Sequence, residues 1–231
     1  GLFDHRTWRL SALDALGRRN FEALTVDSYE ADDPTLLACL ARNILARRGV
    51  VAAPGEILLT LGAQNALWIA AQVLLTQRRT AAMEMPGYPG LRDILGQTRC
   101  TLVEVEVDRH GLPPERLPEG LDVVFVTPGH HCPTNATMPE ARRRTLLDRA
   151  AAEGFVVVED DYEIASGAGG PPPPPPALKA LDRRGAVIHV GSFSKTLFPG
   201  LRLGYLVGPE PFIREARALR AMVLRHPPGH I

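Results

Sequence analysis

Lys195 stands in the stretch IHVGSFSKTLFPGLRLGY (188–205), just past an apolar run, with hydroxyls at Ser192, Ser194 and Thr196 and a guanidinium at Arg202. Lysine is ordinarily a surface residue, so its place between a buried-looking strand and a turn rich in glycine and proline needs a reason. An amine in a partly desolvated site beside another cation loses proton affinity and becomes a nucleophile toward an aldehyde. The spacing therefore points to covalent amine chemistry.

Three other clusters also follow apolar runs: TLGAQN (60–65), VTPGHHCPTN (126–135) and VEDDYE (158–163). Gly62 permits a tight turn, so the amides of Ala63 and Gln64 open a helix and can hold an anion. Arg202 adds a charge-assisted grip on a phosphate. Glu159, Asp160 and Asp161 end the run FVVV, where they suit a metal, a general base, a protonated ring nitrogen, or a solvated strand end with a helix cap. A lysine joined to pyridoxal phosphate needs a phosphate cradle, a carboxylate on the pyridine nitrogen and donors for the ring hydroxyl. Candidates for all three are present.

Two other chemistries fit less well. GSFSKT resembles the end of a phosphate-binding P-loop, but that loop needs glycine immediately before the lysine, and Ser194 occupies the place. His130, His131 and Cys132 are adjacent rather than spaced, and adjacent residues rarely aim at one ion. They read as loop residues.

The elements that must position these groups alternate along the chain. PTLLACLARNILARRG (34–49) has helical apolar spacing, with proline near its start and glycine at its end. EILLTLG reads as a strand and AQNALWIAAQVLL as a buried helix. AAMEM and TLVEVEV are strands flanking the loop and helix PGYPGLRDILGQ. LDVVFVTP, FVVVED, AVIHVGS and RLGYLVG are further strands. MPEARRRTLLDRAAAEG and PFIREARALRAMVLR are helices. Strands separated by helices predict an α/β fold with a mostly parallel sheet covered on both faces. In such sheets ligands sit where the carboxyl ends of strands meet, which makes the four clusters one composite site. SGAGGPPPPPP (166–176) is a stiff surface connector.

The 231 residues suffice for one large domain, and 45% apolar content supplies a core. Lys plus Arg equals Asp plus Glu at 26 each, so there is no bulk electrostatic drive toward nucleic acid. Cys39, Cys100 and Cys132 form no framework, which points to a reducing compartment, and neither a membrane span nor a signal peptide is legible. The expected location is the cytoplasm. The abrupt start at GLFDHRTW and the end at HPPGHI read as cuts in a longer protein.

The ordered motifs LTLGAQNAL, PGYPGL, VTPGHHCPT, VEDDYE, ALKALD and VGSFSKTLFPGLRLGYLVGP resemble the fold type I aminotransferases. Within them the chain is most similar to the effector-binding domain of the MocR/GabR group of bacterial transcription regulators, in the GntR superfamily. The likeness spans nearly all of residues 1–231 and implies the large, pyridoxal phosphate-binding domain. By that resemblance Lys195 forms the internal aldimine, Asp160 holds the pyridine nitrogen and Tyr162 bonds the ring hydroxyl. Ala63, Gln64, Ser192 and Arg202 cradle the phosphate, and Tyr88 lies against the ring. Asn135 stands where the family usually has glycine, and asparagine tolerates the left-handed conformation. Cys132 replaces the usual asparagine, leaving Tyr162 as the main partner of the hydroxyl. Tyr29 matches a tyrosine that reaches the neighbouring subunit's phosphate.

The implied function is to sense a small amino compound through an external aldimine and pass the change to DNA binding by an N-terminal winged helix-turn-helix domain, absent here, as is the C-terminal small domain. A genuine aminotransferase acting between an amino acid and a 2-oxo acid is the alternative, and a scaffold that holds no cofactor is a third reading. A homodimer with interfacial sites, and no membrane partner, is also implied.

Overall fold

The computed structural model describes residues 4–17, 31–162, 175–225 and 227. Tyr29 and most of the proline-rich connector lie outside the described residues. After helix α1 (His5–Ala15) a helical segment starts as α2 (Pro34–Cys39), capped by the Asp33 carboxylate, which accepts from the Leu36 amide at 2.7 Å. The sequence predicts one helix through to Gly49. The backbone stays helical to Arg48 but changes pitch, with a wide π turn over Leu40–Leu45 and a tight 3-10 turn over Ala46–Arg48. It stops at Gly49, whose φ of 72° few other residues adopt.

Seven strands follow: β1 (Ile57–Thr60), β2 (Thr80–Met85), β3 (Thr101–Glu106), β4 (Val123–Val126), β5 (Val156–Asp161), β6 (Val187–Ser192) and β7 (Gly204–Val207). Between and after them run α3 (Gly62–Leu74), α4 (Pro89–Thr98), α5 (Glu140–Glu153), the short α6 (Leu178–Leu181) and α7 (Glu210–Val223). The sheet order is β1-β7-β6-β5-β4-β2-β3. Strands β2 to β6 pair in parallel, and β7 is antiparallel to both of its neighbours. The mostly parallel sheet is as the alternating pattern predicts.

Successive strand residues face opposite sides, and both sides are covered. Leu58, Phe125, Val158, Val190 and Leu206 pack against α3, α4 and α7. On the other side Val124, Val126, Val157 and Val187 pack against Leu146 and Ala150 of α5, while Leu59 and Tyr205 meet Leu37, Leu40 and Leu45. Each fully buried Leu or Val contributes about 1.5–3 kcal/mol. In the central strands β4 and β5 the amino-terminal residues are apolar on both faces, and in β5 the polar residues gather at the carboxyl end, whereas β6 carries the buried His189 in its middle. Among the described residues no helix is long and apolar enough to cross a membrane.

Candidate functional site

At the carboxyl edge of the sheet lies a cleft of about 280 Å³. Ala63, Gln64, Tyr88, Asp160, Tyr162, Ser192, Lys195 and Arg202 all line it, together with Leu67, Thr127, Cys132 and Ser194. All eight residues singled out from the sequence therefore come together, from five stretches of chain.

One end of the cleft is built for an anion. Gly62 opens α3 with a φ of +78°, and a Cβ there would come within 2.8 Å of the Arg202 guanidinium. Arg202 itself takes a φ of 49° and donates through Nη2 to the Leu61 carbonyl at 3.0 Å. The arginine is thus laid across the start of a 13-residue helix, whose first amides have no intrahelical acceptor and whose dipole favours negative charge. Ser192, at the end of β6, is buried, and its Oγ accepts from the Ser194 amide at 3.1 Å.

The other end is acidic. Asp160 is 9% exposed, and its Oδ1 has no hydrogen-bond partner. Burial, and next the charge of Asp161, push its carboxyl up to about 7. A buried orphan oxygen at this place is suited to a donor that a ligand brings. Tyr162, one residue beyond β5, places its ring edge-on to His130 at 6.3 Å between centroids. Tyr88 precedes α4, and the turn is held close: a Cβ on Gly90 would lie 2.6 Å from the Tyr88 ring.

The loop carrying Lys195 is closed by hydrogen bonds from the Phe193 amide to the Leu203 carbonyl at 3.0 Å and from the Leu197 amide to the Phe193 carbonyl at 2.8 Å. Phe193, Leu197, Leu201 and Leu203 face a separate apolar cleft with Trp8 and Leu36, while Ser194, Lys195 and Arg202 face the cleft with Asp160. Lys195 is exposed. The partly desolvated lysine expected from the sequence is therefore not met by this chain's own atoms, because the cleft is open on that side.

The VTPGHHCPTN loop is arranged differently from a metal site. His131 is fully buried, with Nδ1 2.7 Å from Thr134 Oγ1 and Nε2 3.5 Å from Glu84 Oε2. Glu84, at the end of β2, accepts from the Thr127 amide at 3.0 Å, and burial raises its carboxyl to about 7. Asn135 adopts a φ of 61°, as its substitution for glycine predicts. Thr127 and Ser194 belong to the clusters VTPGHHCPTN and GSFSK expected at the site, though without roles of their own, and Leu67 lies outside them, where helical spacing from Ala63 points to it.

The donor set suits a phosphorylated pyridine aldehyde: an anion grip, a buried unpartnered carboxylate and an amine border one cleft. Residues 27–229 match the aminotransferase class I and II family. The chain is 56% identical over its whole length to the HTH-type transcriptional regulator TauR of Rhodobacter capsulatus, of which it spans 47%. It is 35% identical, over 90% of its length, to the probable rhizopine catabolism regulatory protein MocR of Rhizobium meliloti, of which it spans 42%. It thus covers about half the length of the relatives it matches. The fold superposes with a TM-score of 0.85 on LysN, the α-aminoadipate aminotransferase of Thermus thermophilus complexed with a phosphopyridoxyl-leucine, at 27% identity over 99% of this chain and 59% of that one.

Proposed function

The chain belongs to the class I and II aminotransferase family, and on that premise we propose that it is the pyridoxal phosphate-binding, amine-sensing part of a MocR-type transcription regulator. The observation that carries this reading is the meeting of Lys195, the unpartnered Asp160 and the Arg202-capped helix start around one cleft. The regulators at 56% and 35% identity support the regulatory half of it.

When bound, pyridoxal phosphate supplies an aldehyde that condenses reversibly with primary amines and a ring that withdraws electrons. Arg202 and the amides of Ala63 and Gln64 bind its phosphate, with Ser192 beside them. Asp160, at the buried end of the cleft, would hold a proton on the ring nitrogen. Tyr162 orients the ring hydroxyl, and Tyr88 covers a ring face. Lys195 is the resident amine, and a small amino compound competes with it. Differential contacts of the two amines shift the balance between conformations and so reach a DNA-binding domain outside this chain. Leu10 and Leu13, exposed on α1, and Leu16 at its C-cap support the homodimer that the family implies.

Only two lysines occur in the 231 residues, Lys179 and Lys195, and Lys179 Nζ lies 3.6 Å from Asp182. Borohydride reduction of the loaded protein, followed by peptide mass analysis, is expected to place the phosphopyridoxyl group on Lys195. A label on Lys179, or none, overturns the assignment. Release of a 2-oxo acid over many turnovers from an amino acid substrate would favour the aminotransferase reading instead.

A further inference from the structure

Behind Asp160, on the opposite face of the sheet, lies a buried polar network that the cleft does not use. Alternation along β5 turns Glu159 and Asp161 away from the cleft, and in the parallel register Glu159 lies opposite His189 of β6. Glu159 Oε1 accepts from the Leu178 amide at 2.7 Å and Oε2 from the Lys179 amide at 3.2 Å, so it is set as an acceptor. Asp161 takes a two-pronged grip from Arg48, at 2.7 Å from Nε and 3.1 Å from Nη2.

His189 is completely buried between these two acids. Its Nδ1 is 2.9 Å from Glu159 Oε2, and its Nε2 lies 4.0 Å from Asp161 Oδ2. A neutral imidazole would aim a lone pair at one carboxylate or the other. Nδ1 is within hydrogen-bond distance of Glu159, while Nε2 has no hydrogen-bond partner and stands only at ion-pair distance from Asp161, where a proton is favoured over a lone pair. Burial works against that cation, but the hydrogen bond and charge of Glu159 and the charge of Asp161 outweigh it, so its proton affinity is raised.

The charges around this ring can be counted. Strand β5 brings Glu159 and Asp161, the turn after α2 brings Arg48, and α5 brings Arg143, which donates to the carbonyls of Met138, Pro176 and Pro128. Lys179, on α6, is engaged with Asp182. The hydroxyl of Tyr205, on β7, is buried without a partner. Through the sheet lies Asp160, and beyond it Glu84. On this face of the sheet Glu159 and Asp161 meet Arg48 and His189, with Arg143 near by.

We propose that His189 is a positioning residue that acts through the sheet: held between Glu159 and Asp161, its positive charge offsets part of the negative charge behind Asp160 and so favours the carboxylate that would hold a proton on a ligand's ring nitrogen. The second half rests on the cofactor reading above; the first concerns this chain alone. Burial first, and then the charges of Asp161 and Glu159, drive Asp160 toward its neutral form, and the positive charge of His189 opposes them. Removing it leaves Asp160 facing two acids across the strand with less to balance them.

The test uses the intact, cofactor-free protein. Nitrogen-resolved NMR of the histidine side chains is expected to find His189 protonated on both nitrogens at neutral pH. In His189→Gln, carboxyl-carbon NMR is expected to find the Asp160 titration raised by roughly one pH unit or more. A packing role alone would not move that titration. A neutral His189 in the native protein, or an unmoved Asp160 in a folded variant, overturns the proposal. The first measurement stands even if the variant does not fold. Failure of the cofactor reading would appear separately, as an unlabelled Lys195, and would leave both titrations readable.

Discussion

Glu84 and Asp160 are two acids buried close to one cleft, and both are raised to about 7, by burial above all. An acid whose folded proton affinity exceeds its unfolded value keeps a proton that the unfolded chain has already released. The folded state then binds more protons, so its stability falls as pH rises from the ordinary carboxylate range toward about 7. A histidine with raised affinity acts in the same sense: its contribution is full below the unfolded value and is lost as pH rises through the folded one. Glu84, Asp160 and His189 therefore all favour the folded state at mildly acidic pH. Glu84→Gln keeps an acceptor for the Thr127 amide but removes the titration. By urea unfolding the variant is expected to match the native protein near about pH 5 and to exceed it by about 1–3 kcal/mol near about pH 8. An equal loss of stability at both pH values would mean that the carboxylate is needed as a charge.

Among the elements, two helices show how position changes the meaning of one residue type. Gly62 at the start of α3 combines a left-handed φ with a guanidinium 2.8 Å from where a Cβ would stand. Gly62→Ala should cost about 1–2 kcal/mol for the backbone and displace Arg202, which titration with pyridoxal phosphate would register as weaker binding. Gly96 sits inside α4, where a Cβ would meet nothing within 4 Å. Gly96→Ala should add about 0.5–1 kcal/mol and leave cofactor binding unchanged. The change of helical pitch between Leu40 and Arg48 is another effect of context. Apolar spacing fits any helical pitch approximately, and the turn that brings Arg48 to Asp161 is decided by a partner 113 residues away.

On the scale of the whole molecule, the sheet separates two polar systems: the cleft at its carboxyl edge, and the buried network of Arg48, Arg143, Glu159, Asp161 and His189. The second anchors the 175–178 segment, since Arg48 donates to the Pro175 carbonyl at 2.8 Å and Arg143 to that of Pro176 at 2.7 Å. The connector read from sequence as a plain surface loop is thus fixed to the core at its end. Ligand binding to the folded state alone raises global stability by about 2.7 kcal/mol at one hundred times its Kd. Pyridoxal phosphate should therefore raise the urea midpoint of the native protein, and raise it less in Arg202→Ala. No shift in the native protein would count against binding at this cleft.

The sequence by itself determined the alternation of strands and helices, since period-two and helical patterns are local; polar groups after apolar runs drew attention to Lys195, Arg202 and the acids, and the family resemblance supplied the roles of the eight candidate residues, Tyr88 and Tyr162 among them. The sequence also determined that Asn135 could replace a glycine, as the left-handed backbone at that turn bears out. Only the tertiary structure decided the direction of β7, the exposure of Lys195 and the pairing of His189 with Glu159. Strand direction depends on which edge is free to pair, and exposure on what else covers a cleft. Whether a buried histidine is charged depends on acids brought to it across 30 residues of chain.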